Sequence, residues 1–139
     1  MKVSTRGRYG LRAMVELTRN QGAGAIPLRE IAEKQDISEQ YLEQLFSNLR
    51  KAELVKSVRG AKGGYLLNDS PENISVRDII VALEGPIAPV ECVLEDSEKC
   101  KYDDDCVTQV LWEKLKDCID DMLISITLKD ISDETLNED

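Results

Sequence analysis

Two amphipathic segments separated by three residues constrain this chain more than any other feature. Leu28, Ile31 and Ala32 mark a short helix that starts after Pro27 and ends near Gln35. Tyr41, Leu42, Leu45, Phe46 and Leu49 form one apolar stripe on a second helix over about Ser38 to Ala52. Between them, Asp36-Ile37-Ser38 has room only for a tight turn, with Ser38 placed to accept a hydrogen bond from the free amides of the second helix. Opposite the stripe stand Gln40, Glu43, Gln44, Ser47, Asn48 and Lys51. Two short helices on a tight turn, the second with an amide- and hydroxyl-rich outer face, form the helix-turn-helix pattern. On these residues alone, a helical hairpin with a merely solvated polar face is an equal reading.

The flanking sequence favours the first reading. Ser4 or Thr5 can cap an earlier helix that carries Tyr9, Ala13, Met14 and Leu17 at helical spacing to about Asn20, before Gln21-Gly22-Ala23-Gly24-Ala25 breaks it. After the second amphipathic helix, Leu54–Arg59 and Tyr65–Leu67 read as two strands around Gly60-Ala61-Lys62-Gly63-Gly64. A basic hairpin directly behind a recognition helix is a wing. Its glycines allow the backbone close to phosphates, and Arg59 can reach a minor groove, where negative potential is concentrated. A nucleotide-binding loop is excluded because the run is neither GxxxxGK[ST] nor GxGxxG and opens no helix.

Composition enters as a test of that reading. The chain has 139 residues and a formal charge of −9, which opposes nucleic-acid binding if spread evenly. It is not evenly spread: residues 1–70 hold 12 Lys+Arg and 8 Asp+Glu (net +4), residues 71–139 hold 6 and 19 (net −13). Only the first half suits DNA. There is no histidine, which excludes Ser-His-Asp and Cys-His hydrolases and HExxH proteases, so an enzyme is not expected. No apolar run is long enough to span a bilayer, and Met1-Lys2-Val3-Ser4-Thr5-Arg6 has no signal core, so a cytoplasmic location is expected, with no membrane and no small-molecule substrate.

Ser75 and Asp78 form a capping-box start for a fourth helix with Val76, Ile79, Ile80 and Leu83 inside, stopped by Gly85-Pro86. A linker and a cysteine-bearing stretch follow. From Val107 to about Ile126, Val110, Leu111, Leu115, Cys118, Ile119, Met122, Leu123 and Ile126 make a wide stripe, with Trp112 beside it, that a domain of this size cannot cover alone. A second copy of the same helix is the natural cover, with folding back on its own domain the alternative. Thr127 and Asp130 can cap a last short helix before a polar, acidic end.

The expected fold is mainly α with a small β wing (α+β). A winged helix-turn-helix domain occupies residues 1–85, a cysteine-bearing loop 86–106, a long dimerisation helix 107–127 and a short acidic C-terminal tail 128–139.

Gly7-Arg8-Tyr9-Gly10-Leu11, Tyr41-Leu42-Glu43-Gln44-Leu45-Phe46, and Val58-Arg59-Gly60 with Gly63-Gly64-Tyr65 closely resemble the Rrf2 family of bacterial winged-helix transcription regulators, in particular its iron–sulfur, IscR-like branch. The resemblance implies a DNA-binding repressor or regulator acting as a homodimer on a pseudo-palindromic double-stranded operator, controlling cluster-assembly or sulfur-metabolism genes. It puts Gln40, Tyr41, Glu43 and Gln44 in the major groove and Arg59 in the minor groove, with Gly60 and Lys62 beside it in the wing. The chemistry agrees: Gln pairs bidentately with adenine, Glu accepts from cytosine N4, and Arg suits a narrow A·T-rich groove. Gln40 stands where the IscR-like pattern has a smaller serine, and Glu53 where the family pattern has a helix-closing glycine.

Cys92, Cys100 and Cys106, three thiols within fifteen residues on a loop, are poorly explained as core and suit an iron–sulfur cluster, 2Fe–2S by the resemblance. IscR-like proteins add a histidine three residues after the last cysteine, but here that position is Gln109. Cys118 lies twelve residues beyond Cys106, roughly 18 Å along a helix at about 1.5 Å per residue, and its place on the stripe suits core or interface packing better. The fourth ligand stays open among Asp103, Asp104, Asp105, Glu91, Glu98, Gln109 and a small molecule or water. Two alternatives accompany this reading: a cluster-free, CymR-like regulator of cysteine metabolism controlled by a partner protein, a branch that generally lacks the three cysteines, and a zinc or thiol-redox interaction module.

Overall fold

A computed structural model describes residues 3–89 and 107–137. Helix α1 spans Thr5–Arg19, α2 Leu28–Gln35 and α3 Glu39–Lys51. Strands β1 (Val55–Val58) and β2 (Gly64–Leu67) pair antiparallel, with Val55 opposite Leu67 and Val58 opposite Gly64. A 3-10 turn at Pro71–Asn73 leads to α4 (Val76–Glu84), and after residues 90–106 come α5 (Gln109–Ser125) and α6 (Leu128–Ser132). The fold is mainly α with a small β wing, as the periodicities indicate.

One core joins the first half. Ala13, Met14 and Leu17 of α1 meet Leu42, Leu45, Phe46 and Leu49 of α3 and Ile79 and Leu83 of α4, all buried. The helices α1 and α4 approach closely because α1 carries glycine where they cross: a Cβ on Gly10 would lie 2.2 Å from Leu83 Cδ1. The helix-turn-helix turn is held by Asp36 in the left-handed region (φ 53°), which lets the Ile37 amide reach the Ala32 carbonyl at 3.1 Å. Ser38 Oγ then accepts from the Tyr41 amide at 3.1 Å, the expected cap of α3.

The hairpin is anchored beyond its own two strands. Ile26 pairs with Tyr65 through two backbone bonds, Ile26 N–H to Tyr65 O at 3.0 Å and Tyr65 N–H to Ile26 O at 2.9 Å. The approach leaves no room for a side chain at Gly64, where a Cβ would sit 2.2 Å from the Ile26 carbonyl oxygen. At the other end of the chain, Ser75–Asp78 and Thr127–Asp130 both form complete capping boxes. Leu128, at the head of the segment expected to be an acidic tail, is fully buried in the same core, and its amide donates to the Ile74 carbonyl at 2.8 Å.

The end of α3 explains how glutamate is accommodated where glycine is usual. The Leu54 amide donates to the Leu49 carbonyl at 3.0 Å and the Glu53 amide to the Arg50 carbonyl at 2.9 Å, a full Schellman closure with Glu53 at φ 63°. Asn68 Nδ2 fixes this geometry by donating to the Glu53 carbonyl at 2.8 Å. A Cβ in the left-handed region costs about 1 kcal/mol that glycine does not incur, and the Glu53 side chain is exposed, with no hydrogen bond or ion pair among the described residues in return. Glu53→Gly should therefore raise the unfolding free energy by roughly 0.5–1 kcal/mol in urea denaturation, whereas a decrease would mean that the side chain is stabilising.

Candidate nucleic-acid interface and apolar helix

The inner face of α3 is buried, so its polar residues must turn outward. Gln40, Glu43, Gln44, Ser47 and Asn48 line one open face, at the i, i+3, i+4 spacing of a single helix side. Gln40, Glu43 and Gln44 are exposed, and Tyr41 is half-buried with its ring edge-on to Tyr9 at 6.2 Å and 88°. Arg59, Gly60 and Lys62 are exposed at the turn of the hairpin. Gly60 takes φ 109°, and Gly63 closes the turn by donating to the Gly60 carbonyl at 3.0 Å. The sequence-predicted DNA residues thus fall into two groups, a helix face and a wing tip, both open to solvent and rich in groups that can pair with base edges or phosphates.

The cysteines Cys92, Cys100 and Cys106 and the acidic triplet Asp103–Asp105 lie outside the described residues. Among the described residues no group of three His, Cys, Asp or Glu side chains could hold a metal ion. Gln109 is the first residue of α5. Cys118 is exposed on α5, so within this chain it is not a core residue, which removes one of its two expected readings.

Helix α5 rests on α4 by a polar attachment that periodicity does not reveal. Arg77 Nε and Lys116 Nζ each donate to Asp120 at 3.1 Å, and the carboxylate is largely covered. Burial raises the Asp120 pKa, but the hydrogen bonds and charges of Arg77 and Lys116 outweigh it and hold the carboxyl below its ordinary value. Val110, Leu111, Met122 and Ile124 nevertheless remain more than half exposed. Beside this attachment, a cleft of about 540 Å³ runs between the start of α1, α4 and α5, lined by Val3, Leu11, Ile80, Ile119, Met122 and Leu123 among others. Among the described residues no helix is long and apolar enough to cross a membrane.

The family model for Rrf2, described as an iron-dependent transcriptional regulator, matches residues 3–134. The HTH-type transcriptional regulator CymR of Bacillus subtilis is 49% identical over 138 residues, covering 99% of this chain and 94% of that protein. Its solved structure, described as that of the global cysteine regulator, is similar with a TM-score of 0.78 over 96% of this chain and 98% of that one, at 48% identity. The HTH-type transcriptional regulator IscR of Sodalis glossinidius is 44% identical over 131 residues, 94% of this chain and 78% of that protein. The solved structure of T. potens IscR gives a TM-score of 0.77 at 47% identity over 97% and 88% of the two chains.

The Asp120 attachment has a pH signature. A carboxyl whose folded pKa is depressed contributes stability above its unfolded value, about 3.9, and that contribution disappears as pH falls through the folded value. Asp120→Asn should lower the thermal midpoint at neutral pH, and the gap to wild type should close below about pH 4. A gap that persists unchanged into acid would mean that the carboxylate charge is not what binds α5 to α4.

Proposed function

The chain belongs to the Rrf2 family of transcriptional regulators, and from that premise we propose that it is a cytoplasmic homodimer reading a pseudo-palindromic operator under the control of an iron–sulfur cluster. The observation that carries the reading of DNA is the outward polar face of α3 on a helix whose other side is buried. Gln40 and Gln44 present amides suited to adenine, Glu43 an acceptor suited to cytosine N4, and Tyr41 a hydroxyl at the same helix start. Arg59 reaches the minor groove, Lys62 neutralises a phosphate, and Gly60 lets the wing backbone come close.

The exposed apolar residues of α5 support pairing with the same helix of a second copy within residues 107–127, because a two-fold dimer sets two recognition helices on two half-sites. On this division residues 1–85 read DNA, 86–106 hold the cluster, and the acidic end follows.

The donor set of Cys92, Cys100 and Cys106 fits an iron–sulfur group, since soft thiolates are its usual ligands. When bound, a 2Fe–2S cluster supplies a redox-active, acid-labile centre whose loss or oxidation alters the charge of its loop. The chain's own part is to hold it with three thiolates and one weaker donor, for which Gln109 and the loop carboxylates Asp103, Asp104, Asp105, Glu91 and Glu98 are the candidates. A second reading, a cluster-free regulator of the CymR kind, is favoured by the similarity to the Bacillus subtilis protein, whereas the three cysteines favour the first.

Protein purified without oxygen should show visible sulfur-to-iron absorption, and replacing all three cysteines by Ala should abolish it while leaving the thermal midpoint of the core in place. Colourless protein, with zinc or no metal, would overturn the cluster reading and favour the second. For DNA, with a duplex selected from a randomised pool, Arg59→Ala should weaken binding roughly ten-fold or more, and Lys62→Ala should reduce the log–log salt slope by about 0.9. Unchanged affinity and slope in both variants would remove the wing from the interface.

A further inference from the structure

The reading of α3 as the base-contacting helix raises the question of what fixes its angle. Three residues of turn cannot do so alone. Immediately before the left-handed Asp36, the last residue of α2, Gln35, is held at both ends of its amide. Its Nε2 donates to Glu16 Oε1 at 2.7 Å, and its Oε1 accepts from Arg12 Nε at 2.8 Å. Arg12 Nη2 also donates to the Gln35 backbone carbonyl at 3.2 Å, satisfying an acceptor at the end of α2. Glu16 is the one buried charged residue among those described, 8% exposed, and Arg19 and Lys34 balance it at 3.7 and 4.0 Å.

These bonds connect to the DNA face. Arg12, oriented by Gln35, lies over the Tyr9 ring with its guanidinium carbon 5.5 Å from the centroid. The Tyr9 ring meets Tyr41 edge-on, and Tyr41 lies in the first turn of α3 beside Gln40. A continuous set of contacts therefore runs from a buried carboxylate on α1, through the end of α2, to the start of α3. Of the three, the carboxylate only accepts and the arginine only donates, and the glutamine amide between them does both.

We propose that Gln35 is a positioning residue for operator recognition, clamping the end of α2 to Glu16 and Arg12 so that the turn and Tyr41 present α3 at one fixed angle. It touches no DNA. Its effect is on discrimination between sequences, because base contacts need α3 in register while phosphate contacts from the wing do not. This inference rests on the reading of α3 given above.

The test uses the full chain, a duplex selected by wild-type protein from a randomised pool, and a scrambled duplex of the same length. Gln35→Glu sets a carboxylate against Glu16 and removes the donor, and it should lower the ratio of selected to scrambled affinity roughly ten-fold with scrambled binding unchanged. The exchanged pair Glu16→Gln with Gln35→Glu restores donor and acceptor in reverse and should recover the ratio to within about three-fold. Equal losses on both duplexes, no loss in the single variant, or no recovery in a folded exchanged pair would each overturn the proposal. Gln44→Ala, measured alongside, separates the two ideas. If it lowers the ratio while Gln35→Glu does not, only the clamp fails; if it leaves the ratio intact, the reading of α3 fails and the clamp has nothing to position.

Discussion

The structure depends on keeping four side chains of α3 out of water. Leu42, Leu45, Phe46 and Leu49 are all essentially inaccessible, and they are met from one side by α1 and α4 and from another by the hairpin, where Phe46 packs against Tyr65 with ring centroids 4.8 Å apart. Removing a side chain of that kind typically costs about 3–5 kcal/mol, a large part of a small domain's stability. Because this stripe must face inward, Gln40, Glu43, Gln44, Ser47 and Asn48 must face outward. Which side of α3 faces outward is therefore a consequence of core packing, which leaves the helix angle to the contacts at its start, and the wing is fixed to the same core through Tyr65. Helix face and wing tip are parts of one packed unit.

What was legible in the residues was local. Helical spacing gave α1, α3, α4 and α5, side-chain oxygens at Ser38, Ser75 and Thr127 marked helix starts, and a glycine-rich turn between β-branched and aromatic runs marked the hairpin. What was hidden was long-range. Nothing around Ile26 announces that it pairs with Tyr65, and nothing in Leu128 says that it returns to a core whose α1 members, Ala13, Met14 and Leu17, lie more than a hundred positions earlier. Gln35 likewise reads as an ordinary polar residue at a helix end until Arg12 and Glu16, some twenty positions earlier, are placed on either side of it. Among the site residues, the polar face of α3 was readable because it shares a helix period with the core. The ligand set of the cysteines was not, since the chemistry of three thiols leaves a fourth position undetermined.

Helix α5 combines two features usually found apart. It is attached to the DNA-binding half by a charged cluster around Asp120, yet it leaves large apolar side chains such as Leu111 and Met122 in water. The bonds from Arg77 and Lys116 outweigh the desolvation of Asp120, and their geometry fixes the direction in which α5 leaves α4. Such an arrangement orients an apolar surface without consuming it. It differs from the α1–α4 contact, where Gly10 lets Leu83 approach until no surface remains.

Charge division completes the argument. A chain with nine excess negative charges can approach DNA only if its acidic residues stay electrically distant from the face that does so. At physiological ionic strength, fields between exposed charges fade over about 8 Å, less than the thickness of one packed helix. The acidic excess belongs to the second half of the sequence, whereas Arg59 and Lys62 stand exposed at the wing tip in the net positive first half. Part of the acidic excess, seven of its carboxylates, lies within the cysteine-bearing stretch 86–106 of the sequence. Negative charge there disfavours adding an electron to any bound cluster, and it favours the protonated form of any free thiol. The separation of charge along the chain thus lets a net positive first half and a net negative second half coexist within 139 residues.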